Sequence, residues 1–199
     1  MLNQLGSRGM ERLDVTACRE ARPYRAREYL GRVLWSLATP LFRLSPRPLF
    51  GWRRLLLRAF GARIGRDAHV YPSARIYLPW TLTLGEQASI GEWALIYNLG
   101  PVIVGDRATI SHRAHLCAGT HDYRDPALPL LRLPIEIGPQ AWVCADAFVG
   151  PGRRVGEGAI VGAAAVVVAD VPDWQIVSGN PARIIKQRVL RCRDEEENE

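Results

Sequence analysis

The sequence lacks an uninterrupted apolar run that could span a bilayer. Its most apolar stretch, residues 26–44, is broken by Arg32, Pro40 and Arg43, whereas a transmembrane helix needs about 20 consecutive apolar residues. We also expect no secretion signal. These features argue against a membrane-spanning protein and favour a cytoplasmic one.

Cysteine is scarce as well. The four cysteines are far apart and form no Cys-x-x-Cys pair: Cys18, Cys117, Cys144 and Cys192. Such spacing predicts neither a disulfide framework nor a zinc site, so we expect no bound metal. A reducing, cytoplasmic compartment fits this pattern.

Positive charge is concentrated near the start of the chain. Residues 1–66 contain fourteen arginines and four acidic residues, a balance of +10, whereas the whole chain has a formal charge of +6. No zinc-finger, helix-turn-helix or RNA-binding signature accompanies this segment, so we expect no nucleic-acid partner. Arginines interleave with large apolar residues at 29–35 and 52–58. Residues 26–60 therefore have two open interpretations: peripheral contact with a membrane surface, or helices that only cap the fold.

A period of six residues dominates the remainder. A helix repeats its faces every 3.6 residues and a simple strand every two, so this period indicates one short strand followed by one turn. An aliphatic residue opens each of fifteen hexads, at Ile64, Val70, Ile76, Leu84, Ile90, Ile96, Val104, Ile110, Leu116, Ile137, Val143, Val149, Val155, Val161 and Val167. Alanine follows four residues later in the first two hexads of every group of three, at Ala68, Ala74, Ala88, Ala94, Ala108, Ala114, Ala141, Ala147, Ala159 and Ala165. Three such units make one triangular coil with the aliphatic side chains inside.

The repeat predicts an all-β solenoid of about five triangular coils. Successive coils start 20, 20, 33 and 18 residues apart, so the third coil carries an extruded loop at 121–136. A long loop in a regular array is more often functional than decorative. The predicted organisation is a flexible basic arm at 1–25, a helical segment at 26–62, the solenoid domain at 63–182, and a short C-terminal helix with an acidic tail at 183–199.

Four further motifs resemble those of a known family. They lie at 117–123 (CAGTHDY), 134–138 with 141–143 (PIEIG and AWV), 146–152 (DAFVGPG) and 178–183 (SGNPAR). With the hexads, they resemble the hexapeptide-repeat acyltransferases, and among these the colanic-acid biosynthesis acetyltransferases; galactoside and maltose acetyltransferases are more distantly similar. The resemblance implies a left-handed parallel β-helix, a homotrimer with active sites between subunits, and acetyl-CoA as the acetyl donor.

The resemblance also implies roles for particular residues. His121 would be the general base that takes the proton of a sugar hydroxyl, since a histidine is mostly neutral at cytoplasmic pH. A backbone N–H near Trp142 to Ala145 would stabilise the oxyanion. Coenzyme A would contact a set of residues in the last coils and the C-terminal segment, with the basic ones meeting its phosphates: Trp142, Ala145, Ala163, Gly179, Asn180, Pro181, Arg183 and Lys186.

The acceptor sugar is expected near the extruded loop, at Tyr97, Asn98, Asp122 and Tyr123. Asn98 matches an asparagine that orients the sugar in galactoside-type relatives. The chain departs from the family pattern at Ala169, where relatives often carry a lysine. One phosphate contact of the donor is therefore expected to be missing.

The predicted function is acetyl-CoA-dependent O-acetylation of a sugar hydroxyl in exopolysaccharide or other glycan biosynthesis. One alternative is a zinc enzyme like the γ-class carbonic anhydrases, although the spacing of His112, His115 and His121 differs from theirs. Another is a non-catalytic solenoid scaffold. Cys117 and Cys144 suggest a covalent mechanism, but their hexad position accepts any small side chain, which favours a packing role.

Overall fold

The computed structural model describes residues 12–21 and 24–191, in which three helices precede a triangular prism of short parallel strands. The helices are α1 (Val15–Glu20), α2 (Ala26–Arg43) and α3 (Phe50–Ala59). None of the helices in the described ranges is both long enough and apolar enough to cross a bilayer.

Three sheets form the sides of the prism, and each of the five complete coils contributes one parallel strand to each sheet. The first sheet contains β1 (Arg63–Ile64), β4 (Leu82–Leu84), β7 (Val102–Val104), β12 (Ile135–Ile137) and β15 (Arg154–Val155). The second contains β2 (His69–Val70), β5 (Ser89–Ile90), β8 (Thr109–Ile110), β13 (Trp142–Val143), β16 (Ile160–Val161), β18 (Gln175–Ser178) and β19 (Arg183–Gln187). The third contains β3 (Arg75–Ile76), β6 (Leu95–Tyr97), β9 (His115–Cys117), β14 (Phe148–Val149) and β17 (Val166–Val167). A separate hairpin pairs β10 (Thr120–His121) with β11 (Leu130–Leu131).

The core lies where the hexads predict it. All fifteen aliphatic residues that open a hexad are buried, and so are all ten of the repeated alanines. Equivalent residues stack from coil to coil; Ile110, for example, pairs in register with Ile90 on one side and Val143 on the other. Burying each such side chain contributes about 1.5–3 kcal/mol, so the repeat itself holds the prism together.

Glycine follows the aliphatic residue where neighbouring coils approach most closely. A Cβ added to Gly138 would lie only 2.6 Å from the backbone nitrogen of Glu157 in the next coil. The backbone of Gly138 does not have a positive φ. Close approach of the coils, rather than an unusual dihedral angle, therefore requires glycine here.

The C-terminal part of the solenoid differs from the prediction in two ways. A sixth, partial coil follows the five complete ones: β18 pairs in parallel with β16, and Val171 bridges Val155. The predicted C-terminal helix is wrong, because residues 183–187 form β19, antiparallel to β18. The chain reverses at Gly179, whose φ is +95°, and β18 offers an open edge that satisfies the following backbone better than an isolated helical turn would.

The predicted flexible arm includes an ordered segment. Residues 15–20 form α1, with the Asp14 side chain accepting a hydrogen bond from the Ala17 N–H at 2.9 Å. The Asp14 N–H donates to the Pro126 carbonyl of the extruded loop at 2.8 Å. The rest of the arm, at 1–11 and 22–23, and the acidic tail at 192–199 lie outside the described residues.

The helical segment covers the start of the prism. Arg53 of α3 is completely buried and donates hydrogen bonds to the Val70 carbonyl (2.6 Å), the Ser45 hydroxyl (2.9 Å) and the Pro46 and Arg47 carbonyls (2.9 and 2.5 Å). Burial lowers the pKa of its guanidinium. Arg53 thus ties the α2–α3 connection to the first coil.

Candidate active site

His121 lies at the end of β10, on the hairpin that leaves the prism after the third sheet. The predicted extruded loop is therefore partly regular, since Thr120 pairs with Leu131 and His121 with Leu130. The imidazole is exposed. The hairpin consequently presents His121 at the surface on a backbone that is held by two strands.

A backbone carbonyl fixes the orientation of the His121 ring. Nδ1 of His121 lies 2.5 Å from the carbonyl oxygen of Leu128. Because a carbonyl can only accept, the neutral ring carries its hydrogen on Nδ1, which leaves the lone pair of Nε2 free to accept a proton. Leu128 has a φ of +47°, an uncommon conformation for a bulky residue.

His121 borders a cavity of about 220 Å³ between the hairpin, the prism and the segment around α1. Tyr97, a predicted acceptor residue, lines the same cavity. Burial, together with the nearby Tyr24, Tyr77 and Cys117, raises the pKa of Tyr97. A phenol of this kind stays protonated and can donate a hydrogen bond to an acceptor.

Seven of the nine cavity-lining residues were not expected from the sequence. Two of these, Tyr24 and Cys18, line the cavity from the segment before α2, and the Cys18 thiol lies 3.9 Å from the Leu128 carbonyl. No motif marks either residue. Their position follows from the packing of α1 on the hairpin, which is a long-range contact.

The two predicted acceptor residues on the hairpin, unlike Tyr97, lie outside the cavity at His121. The Asp122 carboxylate accepts a hydrogen bond from the Arg124 N–H at 3.0 Å, which is a local turn contact. Tyr123 is 79% exposed and lies beside the Arg124 guanidinium.

Asn98 requires a correction. Its side chain is completely buried; its amide oxygen accepts hydrogen bonds from the N–H groups of Tyr77 (3.0 Å) and Leu78 (3.1 Å). Its amide nitrogen donates to the Leu78 carbonyl (2.6 Å) and the Thr81 hydroxyl (2.9 Å). An amide has two donors and one oxygen, so no group remains for a sugar. Asn98 is a structural residue that holds the 78–81 turn, and not a substrate ligand.

The residues predicted to bind the donor follow one another along the prism, and we call this set the donor path. Ala145 and Ala163 occupy equivalent corners of the fourth and fifth coils, between the second and third sheets. Exposed Trp142 precedes them on β13, with its indole N–H donating to the Ser111 hydroxyl at 2.8 Å. The path ends at the turn formed by Gly179, Asn180 and Pro181 and at the exposed side chains of Arg183 and Lys186 on β19.

Comparison with known proteins identifies the family. No family model matches the chain. A protein of Escherichia coli strain K12 that is named for acetyl transfer in colanic acid biosynthesis, WcaF, is 39% identical over 155 residues, which cover 78% of this chain and 85% of that protein. The chain belongs to the colanic acid biosynthesis acetyltransferase family. The galactoside O-acetyltransferase of the same strain is 23% identical over 138 residues, 68% of each chain.

Solved structures confirm the fold of this acetyltransferase. A hexapeptide-repeat acetyltransferase of Vibrio cholerae in complex with acetyl coenzyme A superposes with a TM-score of 0.76 at 22% identity, covering 85% of this chain and 93% of that one. A galactoside acetyltransferase in complex with coenzyme A superposes with a TM-score of 0.74 at 21% identity, covering 87% and 86%. The predicted left-handed parallel β-helix is thereby confirmed.

The acetyltransferase does not bring all its predicted site residues together within one copy. The hairpin that carries His121 leaves the prism between the third and first sheets, whereas Ala145 and Ala163 lie at the corner between the second and third. One whole side of the prism separates the two corners. His121 and the corner at Ala145 and Ala163 therefore lie at different edges of a single chain.

Among the other histidines and cysteines of the acetyltransferase, His115, Cys117 and Cys144 make local contacts. His115 is half-buried against Phe148, with ring centroids 5.2 Å apart, and burial lowers its pKa. Across 12–21 and 24–191, no three His, Cys, Asp or Glu side chains are grouped to hold a metal ion.

The Cys117 thiol donates to the Gly119 carbonyl. Burial raises the pKa of Cys144, which disfavours the thiolate that a nucleophile needs.

Proposed function

We propose that this chain transfers the acetyl group of acetyl-CoA to a sugar hydroxyl in the biosynthesis of an exopolysaccharide or another glycan. The observation that carries the proposal is the His121 ring, held through Nδ1 by the Leu128 carbonyl at the edge of a cavity it shares with Tyr97. The names of two relatives support acetyl transfer to a sugar, because one is named as an acetyltransferase of colanic acid biosynthesis and the other as a galactoside O-acetyltransferase. Acetyl-CoA and coenzyme A are bound in two structural neighbours.

The proposed reaction is direct transfer without a covalent enzyme intermediate. Nε2 of His121 takes the proton of the sugar hydroxyl while the oxygen attacks the thioester carbonyl. A backbone N–H in the region 142–145 stabilises the oxyanion. The carbon–sulfur bond then breaks, and the proton held by His121 passes to the departing coenzyme A thiolate. Atoms and charges balance with no metal or redox partner.

Donor binding is assigned to the path along the second sheet. The pantetheine arm would follow the corners at Ala145 and Ala163 beside Trp142, and the phosphates would meet Arg183 and Lys186 beyond the 179–181 turn. The exposure of Arg183 and Lys186 supports this assignment, since both charges are accessible to an anion. Tyr97 remains the best-supported acceptor contact, with Asp122 and Tyr123 at the rim.

A homotrimer with active sites between subunits is part of the proposal. It is supported by the separation of His121 and the donor path at different corners of one prism, because a second copy can bring its donor edge to the hairpin of the first. A cytoplasmic location, peripheral at the inner face of the membrane, also remains a prediction. Its support is the apolar outward surface of α2.

The function is tested by incubating the protein with acetyl-CoA and a panel of free, nucleotide-linked and lipid-linked sugars. Coenzyme A release would be followed by its thiol, and the products by mass spectrometry. We expect acceptor-dependent release together with a sugar product that carries one added acetyl group. Absence of coenzyme A binding by calorimetry would contradict the proposal and favour a non-catalytic scaffold.

A further inference from the structure

Helix α2 is apolar on two opposite sides. Trp35 and Phe42 face the prism and are buried. Residues about half a turn away around the helix are equally apolar but remain exposed by 48–72% of their surface: Leu30, Val33, Leu34, Leu37 and Leu41. A surface helix normally carries polar residues on its outer side, and a helix that is apolar all round is normally covered. The outer face of α2 therefore lacks a cover.

The exposed surface continues onto α3. The indole N–H of Trp52 donates to the Leu41 carbonyl at 3.0 Å, which places α3 beside this face of α2. Trp52 and Leu55 are themselves 39% and 60% exposed. We call these seven residues the outer face: Leu30, Val33, Leu34, Leu37, Leu41, Trp52 and Leu55. Contiguous apolar surface of this kind marks an interaction site.

Arginines flank the outer face along α2. At 100° per residue, Arg27 lies about 20° beyond Leu34 at one side of the outer face, and Arg43 lies about 80° beyond Val33 at the other. Arg32 lies nearer to buried Trp35, and its guanidinium covers the Tyr24 ring at 4.1 Å. Within the described ranges neither Arg27 nor Arg43 forms a salt bridge. The one acidic residue of α2, Glu28, is held by Arg132 at 3.0 Å. Arg27 and Arg43 thus add positive charge on the two sides of the outer face.

We propose that the outer face docks on an anionic lipid bilayer, with its leucines in the boundary between headgroups and acyl chains and its bordering arginines on the headgroup phosphates. Charge complementarity selects a bilayer over a second copy of this chain, whose own outer face is bordered by arginines. An apolar face with basic flanks is also the pattern of interfacial helices, and Trp52 is the residue type that such interfaces favour. The inference rests on the peripheral location proposed above and not on the acetyl transfer step.

Flotation of the full chain with vesicles tests this inference. Vesicles of phosphatidylcholine alone are compared with vesicles that also contain phosphatidylglycerol. We expect binding to the anionic vesicles, weakening as salt is added. The double variant Leu37→Asp/Leu41→Asp should lose about tenfold or more of this binding. A matched control, Val189→Asp/Leu190→Asp, makes the same charge change at two exposed apolar residues far from α2 and should bind like the wild type.

Two further measurements keep the result interpretable. The variant Arg27→Gln/Arg43→Gln leaves every apolar residue in place and should reduce the preference for anionic vesicles. Acetylation of a soluble sugar by the Leu37→Asp/Leu41→Asp variant should stay at the wild-type rate, which separates docking from catalysis and verifies folding. The inference is overturned if the wild type does not float, if the α2 variant binds as well as the control, or if that variant alone changes the oligomeric mass and so marks the face as a protein interface.

Discussion

At the scale of single residues, the orientation of His121 depends on a backbone carbonyl that no side-chain motif encodes. Leu128 holds that carbonyl with a φ of +47°. A glycine adopts this conformation without strain, so Leu128→Gly should keep kcat within about twofold of the wild type. Leu128→Pro forces φ to about −65° and should displace the carbonyl, lowering kcat about a hundredfold.

The Michaelis constant for acetyl-CoA separates this positioning role from general damage. It should be unchanged in Leu128→Pro, since the donor path lies at another corner of the prism. An equal loss of kcat in both Leu128 variants would mean that the side chain, and not the carbonyl, matters.

The sequence predicted where residues lie in the fold better than it predicted which contacts their side chains make. The position of His121 directly after the third coil indicated a functional group on the loop. The hydrogen bonds of Asn98 could not be predicted, because the hexad pattern gives a residue's place in the coil but not which backbone groups its amide meets. Leu128 could not be predicted either, since a residue before proline is expected to be extended.

At the scale of elements, the spacing between coils depends on glycines that leave no room for a side chain. Gly138→Ala would place a Cβ 2.6 Å from the backbone nitrogen of Glu157. Neither backbone can move without breaking the ladder, so we expect a loss of about 1–3 kcal/mol in the free energy of unfolding. Denaturant titration measures this loss.

Gly150→Ala provides a matched control for Gly138→Ala. The nearest atom to its added Cβ is the Val167 carbonyl oxygen at 3.1 Å, which small shifts can accommodate. Gly150→Ala should therefore lower the free energy of unfolding clearly less than Gly138→Ala does. Equal denaturation midpoints for the two variants would contradict the close-approach explanation.

The elements themselves could be predicted wherever periodicity was strong. Each of the fifteen aliphatic residues that open a hexad is buried in a short strand. One inward aliphatic residue every six positions is compatible with few other structures. The wrongly predicted C-terminal helix and the unexpected α1 are short segments. Their structure depends on a neighbouring edge strand and on the hairpin, and such long-range contacts override local propensity.

At the scale of the whole molecule, the proposed trimer, with His121 and the proposed donor path at two corners of each prism, predicts complementation between subunits. His121→Ala and Ala163→Trp should each be inactive, the second because a large side chain blocks the donor corner. Mixed and reassembled in equal amounts, they should recover about a quarter of the wild-type activity, since random assembly places an intact hairpin beside an intact corner at that frequency. No recovery after verified subunit exchange would mean that each site lies within one copy.

The central claim, that His121 is the general base of acetyl transfer, is tested most directly by the kcat of His121→Ala for coenzyme A release. General-base catalysis contributes about a hundredfold to ten-thousandfold, so we expect a loss in that range with donor binding retained. His69→Ala, which removes an exposed histidine of the first coil, serves as the control and should keep the wild-type rate. A His121→Ala protein that turns over as fast as the His69→Ala protein would contradict the claim.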